Sequence, residues 1–543
     1  MGSSILHATG FAQGLRNLKA NWPQDSIAGF LVFLIALPLC LGIALASGFP
    51  PMAGILSAVI GGLLVSRING SHVTITGPAA GLIVVVLASV QTLGQGDDFA
   101  GYRYTLAAIV LSGVLQMGLG FFKAGRLSAF FPSSVVHGML AAIGIIIMAK
   151  QIPVMAGIKI EADSILQSLA LLPHALPFFV PQIALIALAG ILILIGWPMI
   201  RHPLLQKIPS PILVILCGIL MGNLFDLSQF KPGQDFLVPK DIVLSSHFLL
   251  SIPDSLTASI VFPDFSKAFT FSFWESVLSI TLIGSLESLL STAAVDKLDQ
   301  QMRHSDLNRD LSALGVGNFI AGMIGGLPMI AEIVRSSANI EAGARSGWAN
   351  FFHGLFLLLF VMALPQVIDA IPLASLAALL VHIGFRLASP QAFAKMLDVG
   401  KEQLAVFVVT IIAILASNLL AGVMLGIVAK LLIHLSRGVP LKNILTLSYR
   451  LSRQNADTYL IQVHGSAIFS NSLALKSELA ELPAGKTVIF DLSEVFLIDH
   501  TVMELINRYR DDYIQRGGSC EIHGLEAHDA CAEHELAARI NKP

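Results

Sequence analysis

At 543 residues, 55% hydrophobic and only 13% charged, the chain falls well below the roughly 25% charged content of soluble domains. That composition excludes a large soluble enzyme. A formal net charge of −2 leaves no basic footprint for nucleic acid. The four cysteines, Cys40, Cys217, Cys520 and Cys531, are scattered without metal or disulfide spacing.

Residues 1–24 read as a polar cytoplasmic arm holding Arg16 and Lys19, with no removable signal peptide. Apolar runs then recur at about 25–50, 51–66, 76–93, 103–122, 131–150, 177–198, 210–226, 270–296, 306–325, 328–341, 347–368, 371–385, 403–418 and 420–437. A straight span needs ~20 residues, so the runs starting at Thr76 and Pro328 are short or interrupted. About fourteen segments are expected over 25–437. Basic residues concentrate in alternate loops, among them Arg67, Lys123, Arg126, Arg201, Lys207, Lys297, Arg303, Arg345 and Arg437. Fewer fall in the others, at Lys159, Lys231, Lys240 and Lys267. This bias puts both termini in the cytoplasm. The connection at 227–269 is read as holding a short interfacial helix.

Two stretches organise the rest, Thr74–Gly81 and Gly325–Glu332. Each breaks an apolar run with Gly and Pro. A helix that begins inside a membrane leaves its first N–H groups unpaired. Such groups are tolerated only against protein or a polar cavity. They carry the positive end of the helix dipole, so a negative ligand suits them. Pro78 precedes Pro328 by 250 residues (328 − 78), and Leu37–Pro38 lies at a similar distance before Glu287. Two halves of seven segments follow, the second inverted, with the broken helices facing each other near the midplane.

Thr76, Gly77, Pro78, Ala79 and Ala80 are expected to open the first half-helix, with Pro78 where a missing N–H costs little. Pro328 is expected to open the second and to leave the amides near Met329, Ile330 and Ala331 bare. Arg335 carries a full charge at membrane depth, which marks a pathway or a paired site. Glu332, three residues earlier, shares its helix face, so a structural ion pair explains both residues equally well. Glu287 lies in an apolar run, with Ser288 beside it and Ser291 one turn on. His137, His353, His382 and His434 have no metal spacing and read as packing residues.

After Arg437 the character changes. Residues 438–454 read as a linker, hinged between Pro440 and Arg453. Residues 455–543 alternate like a soluble α/β domain. Strands are expected at Thr458–Val463, Thr487–Leu492 and Cys520–His523, and a helix at Asn471–Leu482. Asp499, His500 and Thr501 cap a second helix running to about Tyr513. The charged tail is read as helical or loose. There is no Walker A loop.

Together these residues resemble the SulP family of anion transporters with a C-terminal STAS domain. The resemblance rests on Ala36-Leu37-Pro38…Ala46-Ser47-Gly48-Phe49-Pro50-Pro51…Gly54, on Thr76-Gly77-Pro78, and on Gly284-Ser285-Leu286-Glu287-Ser288. It continues in Gly317-Asn318, in Gly325-Gly326-Leu327-Pro328…Ile333-Val334-Arg335-Ser336…Asn339, and in Asp491-Leu492-Ser493…Ile498-Asp499. It implies an α-helical polytopic membrane protein of seven-plus-seven inverted repeats, a core moving against a gate, and commonly a homodimer. It also implies an anion site between the third and tenth half-helices, reaching Ile333. The first helix would line that site at Pro38, Leu39 and Cys40. Glu287, with Ser288 and Ser291, would bind Na+ or carry a proton.

Two departures matter. Leu39 stands where many members have Gln. Glu332 stands where a small residue is common; its charge would repel a dianion unless protonated or paired with Arg335, which favours a monoanion such as bicarbonate or proton-linked uptake. Thr501 occupies the loop phosphorylated in related regulators, but His500 and Val502 match poorly, so folding and docking are the better reading. The expectation is secondary active transport of a small inorganic anion across the inner or plasma membrane. Na+ or H+ would be the coupling ion, membrane lipid and a second copy the partners, and cytoplasmic regulators would bind the STAS domain. The alternatives are a dicarboxylate or nucleobase permease of the same design, an anion channel, or a STAS-linked membrane scaffold.

Overall fold

A computed structural model describes the chain apart from residues 1, 126–130, 161, 163, 201, 203–204, 206–207, 230–241, 245–246, 253–256, 300, 302 and 542–543, and apart from the side chains of 2–17, 242–244, 297 and 480. Arg126, Arg201, Lys207, Lys231 and Lys240, used above for orientation, lie outside the described residues, as do the side chains of Arg16 and Lys297. The chain divides into two compact units, Met1–Gly125 with Ile143–Arg386, and Arg126–Ala142 with Leu387–Pro543.

Among the described residues eight helices are long and apolar enough to cross a membrane. They include Leu18–Ala46, Pro51–Ile68, Asp98–Phe121, Phe271–Asp296 and Leu419–Ser436. Four apolar helices are shorter, Ala80–Gly94, Ile165–Phe178, Ser210–Leu224 and Trp348–Ala363. The helix Pro181–Gly196 exposes Leu185, Leu188, Leu192 and Ile195 along one side. Such a stripe is untenable in water and suits hydrocarbon.

Among its described residues the first unit holds four short strands. They are β1 (Ile75–Pro78), β2 (Ile158–Ile160), β3 (Ile242–Leu244) and β4 (Met329–Glu332). β1 pairs antiparallel with β4, and β2 with β3. The described residues of 227–269 hold β3 and one 3-10 turn, Thr257–Ser259; residues 230–241, 245–246 and 253–256, where the interfacial helix could fall, lie outside the described residues. Helix Asp98–Phe121 packs on Leu307–Ile324 with backbones in close approach. A Cβ on Gly113 would lie 2.5 Å from Phe319 N, and one on Gly315 2.6 Å from Gly113 O. Small residues at such crossings let membrane helices approach.

The second unit takes the helices Pro390–Val399, Lys401–Ala416 and Leu419–Ser436 together with the C-terminal domain. That domain has strands β5 (Ser448–Arg453), β6 (Thr458–Ala467), β7 (Thr487–Ile498), β8 (Ser519–His523), β9 (His528–Ala530) and β10 (Arg539–Asn541). The sheet order is β5-β6-β7-β10-β9, with β8 also on β7. Helices Leu473–Glu481 and His500–Gln515 complete it around a core of Val463, Leu479, Val488, Phe490 and Ile506.

Three expectations are corrected here. β6 and β7 outrun the predicted strands, because register shifts after Gln462 and Gly465 carry the pairing past the polar Ser493 and Glu494. The stretch read as a hinge contributes β5, antiparallel on β6. The tail, read as helical or loose, runs through a 3-10 turn at Leu525–Ala527 into β9 and β10, and β10 pairs with the end of β7 at Arg539 and Ile498.

Candidate functional site

The two Gly/Pro breaks meet. Ile75 pairs with Glu332, Thr76 with Ala331, Gly77 with Ile330 and Pro78 with Met329. The strands run antiparallel and each leads directly into a short helix, Ala80–Gly94 on one side and Ile333–Glu341 on the other. The helix starts therefore lie somewhat later than expected. Thr76, Gly77 and Pro78 are strand residues, and Ala79 is the residue before the first helical turn. Met329, Ile330, Ala331 and Glu332 form β4 rather than a helical turn after Pro328. The physical reason is backbone satisfaction. Extended segments on both halves can pair with each other, which leaves fewer unmet polar groups in an apolar setting.

The amides expected to be bare are also largely taken. Met329 N donates to Asn318 Oδ1 at 2.7 Å, and Ala331 N donates to Ser288 Oγ at 3.1 Å. Ile75 N donates to Ser336 Oγ at 2.8 Å. Asn318 further donates to the Met329 carbonyl at 3.2 Å and to Gln116 Oε1 at 2.8 Å. Asn318 thus clamps β4 from both backbone groups of one residue. It stood in a quoted motif without a role, and a buried Asn in an apolar helix was the signal that would have found it.

Arg335 is 1% exposed. It donates through Nη2 to the Pro78 carbonyl and through Nη1 to Cys40 Sγ at 3.6 Å. Its Nη2 lies 3.8 Å from Glu332 Oε1. The guanidinium presses on β1 so closely that a Cβ on Gly77 would sit 2.5 Å from Nη1. A larger residue there would displace the guanidinium. Cys40, expected to line the site from the first helix, is that helix's contact with the charge, and no sequence pattern marks a sulfur acceptor. Pro38 and Leu39 lie buried on the same helix, Gly2–Ala46. Ile333, the first residue of its helix, is 41% exposed.

Glu287 comes from helix Phe271–Leu298. Its carboxylate lies against the backbone at Gly81, where a Cβ would fall 1.6 Å from Oε1. Glu287 Oε2 and Arg335 Nε are both buried without a hydrogen-bond partner among the described residues. Ser288 spends its hydroxyl on holding β4, and Ser291 is half-buried. The result is one guanidinium, two carboxylates and the opening turn of Ala80–Gly94 drawn together. Such a cluster can hold an anion against positive potential and can exchange a proton or small cation at a carboxylate.

A model of the sulfate permease family matches residues 23–410. The bicarbonate transporter BicA of a Picosynechococcus strain is 23% identical over 527 residues, covering 92% of this chain and 88% of that protein. A sodium-independent sulfate anion transporter of Bos taurus is 24% identical over 532 residues, covering 93% and 84%. Among solved structures, the transmembrane domain of a cyanobacterial BicA superposes with a TM-score of 0.60 at 21% identity, over 76% of this chain and 97% of that one. Murine Slc26a9 in its inward-facing state gives 0.66 at 17% identity, over 94% and 88%.

Proposed function

We propose that this chain, which belongs to the sulfate permease family, moves a small inorganic anion of the sulfate and bicarbonate class by secondary active transport. It is an integral membrane anion transporter and not an enzyme. The observation that carries the finer reading is the β1–β4 pair, which sets the starts of two short helices toward each other with Arg335 between them. Thr76 to Ala80 and Met329 to Ile333 are the proposed walls of the seat, with Pro38, Leu39 and Cys40 of the first helix closing it. Glu287 is the proposed coupling group, taking Na+ or H+. Ser288 and Ser291 support it. A core unit rocking against a gate would alternate access, in a homodimer within the inner or plasma membrane. Both termini would be cytoplasmic and the C-terminal domain free to dock regulators.

The test is uptake of labelled bicarbonate, sulfate and fumarate into proteoliposomes under an imposed sodium or proton gradient. Accumulation of an inorganic anion above its equilibrium level supports the reading. Simple equilibration would mean a channel, and no movement of any anion a scaffold.

A further inference from the structure

Glu332 stands at the N-cap position of its own helix, yet its side chain makes no capping bond there. It crosses instead to the other half. Its carboxylate faces the backbone N–H of Ala80, the residue that opens Ala80–Gly94. Its Oε1 also faces the Arg335 guanidinium at 3.8 Å. A negative group of this chain thus sits where one helix start, a second helix start and a buried cation converge. Its charged and titratable neighbours are few. Arg335 comes from its own helix, Glu287 from Phe271–Leu298 and the Cys40 thiol from the first helix. His353, on Trp348–Ala363, neighbours Arg335 instead. The site also has unused capacity, since Arg335 Nε and Glu287 Oε2 are buried without partners.

We propose that Glu332 is a tethered stand-in for the transported anion, holding the seat between the Ala80 N–H and Arg335 until a free anion displaces it. This rests on the transport reading above. Charge counting sets the consequence. Arg335 and ionised Glu332 sum to zero, and Glu287 adds a further negative group when ionised. An anion entering beside both carboxylates meets net repulsion. Protonation of Glu332 removes its claim on the Ala80 N–H and returns one uncompensated positive charge. One proton and one monoanion then enter together, the proton residing on the Glu332 carboxyl, with no other bond made or broken. A dianion remains uncompensated by one charge. Glu332 therefore links binding to pH and selects monovalent over divalent anions.

The experiment compares wild type, Glu332→Gln and Glu332→Asp in proteoliposomes. Labelled bicarbonate and labelled sulfate are supplied at fixed concentrations of the anion itself, at about pH 6.5 and about pH 8.5, on either side of neutral. Wild-type half-saturation should rise with pH, toward about 10-fold per unit where one proton accompanies each anion. Glu332→Gln should flatten that dependence, lower the half-saturation at the higher pH, and improve sulfate more than bicarbonate. Glu332→Asp, one methylene shorter, should fall between and serves if the Gln variant misfolds. Equal pH dependence in wild type and either variant would overturn the proposal. If wild type transports neither anion, the transport reading fails on its own. The seat is then judged by thermal stabilisation of the full-length protein in detergent, which bicarbonate should raise more for Glu332→Gln than for wild type. Equal stabilisation sinks the stand-in.

Discussion

Two carboxylates in this molecule, the buried Asp499 and the partly buried Glu332, sit at helix starts beside a basic group, and they differ in how completely they are bonded. Asp499, in the second unit, caps His500–Gln515 by accepting Val502 N at 2.8 Å. It also accepts Phe469 N at 2.8 Å, and His434 Nε2 lies 3.4 Å away. Both oxygens are engaged at short range. Glu332 has the Ala80 N–H facing it and a guanidinium at 3.8 Å, farther off than either of the two amides on Asp499. A saturated carboxylate holds a fold together. An undersaturated one can be exchanged for another anion, because less is lost when it leaves.

Removing the cation should have the largest effect. Arg335→Ala leaves Glu332 and Glu287 without their buried counter-charge, at a cost of about 3–5 kcal/mol. Anion uptake should vanish, and the thermal midpoint in detergent should drop. Arg335→Lys keeps a charge but cannot reproduce both the Pro78 and Cys40 bonds. It should restore much of the stability and little of the transport. If the lysine variant transports normally, the guanidinium geometry is irrelevant to the seat.

Asp499→Ala tests the saturated member. It strands two buried N–H groups and removes a cap, at about 2–3 kcal/mol. Amide exchange at Val502 and Phe469 should accelerate. The pH dependence has a defined sign. Burial alone would raise the Asp499 carboxyl, but His434, Lys430 and the Val502 N–H outweigh it and hold the group below the usual carboxylate range. Its stabilisation is therefore full above about pH 4, the ordinary aspartate value, and is lost as pH falls through the lower folded value. Asp499→Asn should flatten that acid limb of the thermal midpoint. A limb that persists unchanged in the Asn variant would assign it to another group.

Asn318→Leu is the intermediate case. It frees both backbone groups of Met329 and should cost about 1–3 kcal/mol. As a positioning change it should raise the half-saturation for anion by a larger factor than it lowers maximal uptake. A variant that loses stability while its half-saturation stays at the wild-type value would make Asn318 purely structural.

The sequence made parts of this comparison visible and hid others. The Gly/Pro breaks at Thr76 and Pro328 and the isolated Arg335 stood out against an apolar background, as did the cap at Asp499. The pairing of Ile75 with Glu332 did not, because the partners are 257 residues apart (332 − 75) and local periodicity carries no long-range information. That pairing moved the helix starts to Ala80 and Ile333. It also put Pro78 at the end of a strand, where a missing donor is tolerated. The Cys40–Arg335 contact was hidden for a different reason: a thiol in an apolar run looks the same whether or not a cation faces it. β5, β9 and β10 were missed because they are short strands of half-exposed, mixed composition.

The smallest expected effects come from two glycines, and their contrast separates folding from transport. At Gly118 nothing lies within 4 Å of an added Cβ, so Gly118→Ala should change stability by less than about 1 kcal/mol, in the stabilising direction, and leave uptake alone. At Gly81 the nearest atoms to an added Cβ are those of the Glu287 carboxylate. That is the far end of a flexible side chain, which can swing aside at modest cost to the fold. Gly81→Ala should thus resemble Gly118→Ala in thermal midpoint, yet shift the sodium or proton dependence of uptake. If both variants keep wild-type coupling, the place of Glu287 against the first half-helix is not what links the driving ion to the anion.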